Sequence, residues 1–192
     1  MNTVDPIRNP NKILAIKQNL KMENDPRNYL LFTLGINSAL RSSDLLKLKV
    51  SDVLDNQGNI KQYIYIRVKK TKRELKLRIN KAMREAVTYY LSKAKVFNPE
   101  QFLFKSKRSE KAIDNVALFY LMKRWTKAVG LENERYSSQS LRKTWGYQAR
   151  KYHGASIDMI SEKLGHRSTK VTKRYIGITQ EEINKMEEEI NI

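Results

Sequence analysis

At 192 residues with 40% apolar positions, the chain has the size of one domain and enough hydrophobic content for a real core. Its 38 Lys and Arg against 20 Asp and Glu give a formal charge of +18 and a pI near 10.0, the footprint of a protein that meets a polyanion. The lack of cysteine excludes disulfides and cysteine-ligated zinc, and the longest apolar run (residues 29–36) falls short of the roughly 20 residues of a membrane span. The first twelve residues carry no apolar signal-peptide core, so a soluble, cytoplasmic protein is expected. Setting aside the last twelve residues, with five acids and Lys185, leaves 37 basic and 15 acidic residues. Nucleic acid is the expected polyanion, ahead of acidic membranes and acidic proteins.

No internal repeat or low-complexity linker divides the chain. After a polar start, Ile13, Ile16 and Leu20 recur at helical spacing. Asp25 as N-cap and Pro26 at the first helical position open a buried helix that runs to about Leu40. Ser42 or Ser43 is placed to cap a short helix through Leu45, Leu46 and Leu48, and residues 52–60 suit a strand with a turn at Gln57–Gly58. The period then changes to two. Ile64, Ile66 and Val68 share one face, as do Leu75, Leu77 and Ile79, and the linking "KKTKR" makes a β-hairpin with a basic tip.

Everything beyond reads helical. Asn80 caps residues 81–95, and residues 112–129 carry a stripe of Val116, Phe119, Tyr120, Met122 and Trp125, expected in the core, before Gly130 ends the helix. Further helices are expected at about 139–152, 156–164 and 168–175, with Trp145 and Tyr147 packed inward and His153 at the surface. Thr179 and Glu182 form a capping-box pattern for a last helix, 180–190. The expected fold class is mostly α with one small antiparallel β-sheet (α+β).

No HExxH zinc pattern and no GxxxxGK[ST] phosphate loop is present, so no metal site is expected. Chemistry on a phosphate would then fall to protein cations. Arg41 stands where a buried helix gives way to the next, and Arg142 lies beside Leu141 and Trp145 in an amphipathic helix. Either could grip two phosphate oxygens with its planar fork, and either, taken singly, is more readily a structural or solvated arginine. His166 stands nine residues before Tyr175, among Arg167, Lys170, Lys173 and Arg174.

Taken together, these segments resemble a known family. "GINSALRSSDLLKLKVSDV" (35–53) resembles the first arginine box of the tyrosine recombinases, which include phage integrases and Xer-type resolvases. "SLRKTWGYQARKYHGASIDMISEKLGHRSTKVTKRYIGIT" (140–179) resembles their second box, and the agreement covers most of residues 27–180. The resemblance implies the tyrosine recombinase catalytic-domain fold. Residues 1–192 would form a single catalytic domain, residues 181–192 a C-terminal acidic helix, and the family's N-terminal DNA-clamp domain would be absent.

It also implies a site-specific DNA recombinase or integrase that cuts and rejoins strands through a covalent 3′-phosphotyrosine, without metal, ATP or other cofactor. Tyr175 would be the nucleophile, with His166 beside the same phosphate and Arg41 and Arg142 on its non-bridging oxygens. A phenol of pKa near 10 attacks poorly at neutral pH unless its anion is favoured, which a cationic site does. The family's general acid is a hairpin lysine. Lys70, before Thr71, aligns best, with Lys69 and Lys72 as alternatives. Asp44 resembles the acid that orients the first arginine and reads equally as a first-turn helix acid. Gln139 stands where the family usually has histidine, able to hydrogen-bond a phosphate but not to carry a proton.

Double-stranded DNA is the implied partner, met by Arg41, Lys69, Lys70, Lys72, Arg142, Arg167, Lys170, Lys173 and Arg174. Ile183, Met186 and Ile190 make one narrow apolar stripe on the tail. The stripe either folds back or, as often in the family, docks on a neighbouring protomer to build an oligomer on DNA. Integration and excision of a mobile element is the first role implied, ahead of dimer resolution. The alternatives are a catalytically impaired DNA-binding protein retaining the fold, and a type IB topoisomerase.

Overall fold

The centre of the fold is a helix that water barely reaches. A computed structural model describes residues 4–67, 74–93, 98–133, 135–177 and 180–190. In it α1 (Pro10–Met22) leads to α2 (Pro26–Ser38), capped by the Asp25 side chain, which accepts from the Asn28 N–H. Leu30, Leu31, Phe32 and Leu34 of α2 are fully buried against α1, α5 (Lys81–Lys93) and α7 (Ser140–His153). Gly35 permits the α2–α7 crossing, since a Cβ there would lie 2.6 Å from Leu141 Cδ1.

Two short helices follow, α3 (Ser42–Leu45) and α4 (Val50–Val53), then the hairpin of β1 (Tyr63–Arg67) and β2 (Glu74–Arg78). Ile64 pairs with Leu77 and Ile66 with Leu75, so the expected apolar face forms, and among the described residues the sheet is two-stranded. The expected Val68 and the hairpin tip, with Lys69, Lys70 and Lys72, lie outside the described residues. Asn80 caps α5 through the Met83 N–H, as expected.

Three expectations are corrected. Residues 52–60 are not a strand. Asp52 accepts from the Lys49 N–H to start a helical turn, and Asp55 gathers the Gln57 and Asn59 N–H groups into a loop closed by one Leu54–Ile60 bridge. Ser42 and Ser43 do not cap α3, because the cap position belongs to Arg41 and Ser42 is already helical. In α6 (Asn115–Lys127), Leu118, Met122 and Trp125 enter the core, whereas Val116 and Tyr120 are more than half exposed and Phe119 lies at the surface with its ring edge-on to Tyr120. The stripe read from sequence mixed two adjacent faces of one helix.

Behind α7 lie α8 (Ile157–Leu164) and α9 (Thr169–Ile176), enclosing a second, smaller core of Ala39, Ile160, Leu164 and Ile176. Gly146 lets α9 approach, since a Cβ would lie 2.7 Å from Ile176 Cγ2. Residues 4–9 form a strap across α7 that sequence patterning did not indicate. The Ile7 N–H donates to Thr144 Oγ1 at 2.8 Å, and Gln148 Nε2 donates to the Ile7 and Arg8 carbonyls at 3.0 and 2.8 Å. Ile183 and Met186 of the last helix, α10 (Gln180–Glu189), and Ile190 just past its end are exposed. Thr179, of the expected capping box, lies outside the described residues. No described helix is long and apolar enough to cross a membrane.

Candidate active site

Residues far apart in sequence meet at one cleft of about 320 Å³. The α2–α3 turn brings Arg41, the start of α7 brings Gln139 and Arg142, and the α8–α9 corner and α9 bring His166 and Tyr175. Asn115, at the first position of α6, also lines it.

The turn that presents Arg41 depends on Ala39, whose φ of 58° lies in the left-handed region, a conformation costing about 1–2 kcal/mol for a residue with a Cβ. The Ala39 carbonyl accepts from Arg142 Nη1, while Arg142 Nη2 donates to the carbonyl of Leu164, the last residue of α8. One guanidinium thus joins the carboxyl ends of α2 and α8, where helix dipoles leave partial negative charge. Of its five N–H donors, those not used on the carbonyls remain for an anion in the cleft, beside Tyr175, whose ionised form would support the Arg142 charge.

Tyr175 is half-buried, with its ring 4.8 Å from the His166 ring at 76°. Burial pushes its phenol pKa up, while the neighbouring Arg142 and Arg41 guanidiniums pull it down. The phenol is therefore protonated at rest, next to cations that favour its anion as the proton leaves. His166 is held below the ordinary imidazole range by burial, then by Arg142 and Arg41, so it is neutral at neutral pH.

The His166 tautomer follows from hydrogen-bond counting. His166 Nδ1 lies 3.0 Å from Thr172 Oγ1, and that hydroxyl donates to the Ser168 carbonyl at 3.3 Å. A hydroxyl has one proton, so both bonds form together only if Nδ1–H donates to Thr172, which leaves the Nε2 lone pair free to accept a proton. Thr172→Val, at a position with 0% exposure, should keep the packing and lose this lock. Strand cleavage by the variant should fall about tenfold, a part of the roughly 10²–10⁴ that a positioned acid–base group contributes. An unchanged single-turnover rate would count against the assignment.

Of the residues expected from sequence, Arg41, Gln139, Arg142, His166 and Tyr175 share the cleft. Arg167, Lys170, Lys173 and Arg174 are exposed on α9 and the turn before it. Lys69, Lys70 and Lys72 lie outside the described residues. Asp44 forms no ion pair with Arg41 among the described residues, and its charge supports the protonated form of Arg142 instead. Sequence reading missed Asn115, Thr172 and Lys143. Thr172 lies six residues past His166, which precedes α9, so no helical periodicity marks it. Nothing local distinguishes Asn115 or Lys143 either.

Comparison with known proteins agrees with this geometry. The profile of the phage integrase family matches residues 9–182. The chain is 35% identical over 183 residues to the probable integrase/recombinase YoeC of Bacillus subtilis, covering 94% of this chain and 93% of that protein. It is 26% identical over 159 residues to the tyrosine recombinase XerC of Caldanaerobacter subterraneus, covering 82% of this chain and 43% of that longer protein. Among solved structures, XerA recombinase superposes with a TM-score of 0.76 at 19% identity, covering 100% of this chain and 68% of that one. The XerH recombinase post-cleavage complex with its difH substrate superposes at 0.71 and 20% identity, covering 96% and 52%. A mostly helical frame of this kind, with arginines, histidine and tyrosine converging on one cleft, defines the class of tyrosine recombinase catalytic domains. The chain belongs to the phage integrase family and is a site-specific recombinase of the tyrosine type.

Proposed function

We propose that residues 1–192 act as one catalytic unit that cuts and rejoins double-stranded DNA, with Tyr175 as the nucleophile. The observation that carries this reading is the convergence of Tyr175, His166, Arg41 and Arg142 on one cleft, with the Arg142 charge favouring the phenolate. The Tyr175 oxygen attacks a backbone phosphorus as His166 Nε2 takes the phenolic proton. The bond from phosphorus to the 5′ oxygen breaks, leaving a 3′-phosphotyrosine, and a general acid returns a proton to the 5′ oxygen. That acid is assigned to the hairpin lysine, Lys70 ahead of Lys69 or Lys72. Arg41 and Arg142 hold the non-bridging oxygens as charge grows in the transition state. Gln139 donates a hydrogen bond in place of the usual histidine. One phosphoester replaces another, so a second 5′-hydroxyl reverses the step without an energy source.

Arg167, Lys170, Lys173 and Arg174 supply phosphate contacts around the cleft. The exposed face of α6 (Val116, Phe119, Tyr120) adjoins Asn115 at the cleft and offers apolar contact to base edges in a groove. The biological role we assign is integration and excision of a mobile element, in the cytoplasm. The exposed stripe of Ile183, Met186 and Ile190 supports docking of α10 on a neighbouring protomer. Deleting residues 181–192 should then weaken cooperative assembly on two-site DNA in gel-shift titrations and spare cleavage at a single site. Unchanged cooperativity would refute the docking.

The decisive test of the reading uses labelled duplexes that the protein retards in a gel, each nicked beside the crossover position, in EDTA. Loss of the short fragment at the nick prevents resealing, so a covalent adduct should accumulate on denaturing gels. No adduct on any duplex the protein binds would overturn the reading.

A further inference from the structure

Lys143 has no part in the reaction described so far, yet it is among the most enclosed cations in the chain. Its side chain is 4% exposed, and no carboxylate pairs with it within ion-pair distance among the described residues. Burying an ammonium without a hydrogen-bond partner is costly. Two groups meet this one. Its Nζ donates to the Val4 carbonyl at 2.8 Å, and it lies 4.9 Å from the centre of the Tyr175 ring. Burial lowers the Lys143 pKa, and Asp5, in the same strap as Val4, raises it in opposition.

The strap is itself fixed. Its Asp5 N–H donates to the Arg135 carbonyl at 2.8 Å, and the Ile7 and Gln148 bonds tie it to α7. It also reaches the carboxyl end of α9, where the Arg8 guanidinium comes within 3.3 Å of the position a Cβ on Gly177 would take. Tyr175 is therefore enclosed from three directions: the His166 ring meets it edge-on, Arg142 shares its cleft, and Lys143 stands against its ring.

We propose that Lys143 is a positioning residue for the nucleophile, an ammonium anchored by the N-terminal strap that fixes the Tyr175 ring and favours its anion. The inference rests on the reading of Tyr175 as nucleophile. Its physical basis is that a phenolate spreads negative charge into the ring, so a cation against the ring gains attraction as the proton leaves. A neutral group of similar length would fill the space without that gain.

The test compares Lys143→Met, which removes the charge, with Lys143→Arg, which keeps it. Lys143→Gln, which keeps a donor for the Val4 carbonyl, replaces the first if it fails to fold. Two quantities are read for each variant. One is the single-turnover rate of adduct formation on nicked DNA at saturating protein. The other is the titration of the Tyr175 phenol without DNA, from ¹³C-labelled tyrosine resonances assigned with Tyr175→Phe. The neutral variant should form adduct about tenfold more slowly, retain DNA binding, and titrate Tyr175 about one pH unit higher, the equivalent of tenfold. Lys143→Arg should restore most of both. A Tyr175 resonance and titration unchanged in the folded neutral variant would overturn the inference, as would failure of Lys143→Arg to restore either quantity. If the wild-type protein forms no adduct at all, the nucleophile reading fails, and the titration still decides where Lys143 acts.

Discussion

Tyr175→Phe should abolish the covalent DNA adduct and leave DNA retention in a gel at the wild-type level. The substitution removes one oxygen from a half-buried ring that keeps its contact with His166, so folding and the basic surface are undisturbed. None of the other nine tyrosines lines the cleft with Arg41, Arg142 and His166. The loss should therefore be complete, and residual adduct of wild-type yield would disprove the assignment. The pH profile of the wild-type enzyme has a predicted sign. His166 is depressed below the ordinary imidazole range, so its base form persists as pH falls through about 6.5, and cleavage should decline only in more acid solution. The Tyr175 phenol is raised by burial, so no rise in rate from bulk ionisation of Tyr175 should occur between neutral pH and about 9. A rate that halves near pH 6.5 would show that His166 is not held neutral.

The second large effect belongs to Arg142, which acts on two levels at once. Lys at this position keeps a positive charge but has no planar fork, so it cannot span the Ala39 and Leu164 carbonyls and a phosphate together. Losing a preorganised donor costs roughly 3–4 kcal/mol of transition-state stabilisation, so adduct formation by Arg142→Lys should drop about 10²–10³-fold. A buried carbonyl left without its donor costs about 1–3 kcal/mol, and each kcal/mol moves the melting temperature of a chain this size by about 2–4 °C. A melting point lowered by about 5 °C is therefore expected alongside the kinetic loss. Thermal melts and single-turnover kinetics on the nicked duplex read the two effects separately. A large kinetic loss with unchanged melting would mean that the carbonyl ties do not stabilise the fold. Wild-type kinetics would remove Arg142 from the reaction.

The elements legible in the sequence are those whose signals are local. The caps at Asp25 and Asn80 lie where the side chains bond the next turn, and the alternating apolar residues of 64–66 and 75–77 pair as their period requires. The arginine boxes and the spacing from His166 to Tyr175 could be read for the same reason, since each motif is a short run with fixed internal distances. Where local signals compete, reading failed. Residues 52–60 alternate passably as a strand, but the Asp52 and Asp55 side chains bond nearby N–H groups and bend the backbone away from a ladder. In α6 the apolar residues exceed what one buried face can hold, and only packing against Phe32 and its neighbours decides that Trp125 enters while Tyr120 stays out.

By itself, the sequence determined the longer helices, the strand pair, the excess of positive charge and the family of the chain, because each is encoded in neighbouring residues or in total composition. Only the tertiary structure decided that Arg142 ties two helix ends in the cleft of Tyr175, that Thr172 selects the free nitrogen of His166, and that Lys143, bonded to the strap at residues 4–9, lies against the Tyr175 ring. Those contacts join residues separated by 6 to 139 positions, and their strength depends on burial and on distances of a few ångströms, which no local pattern of residues specifies.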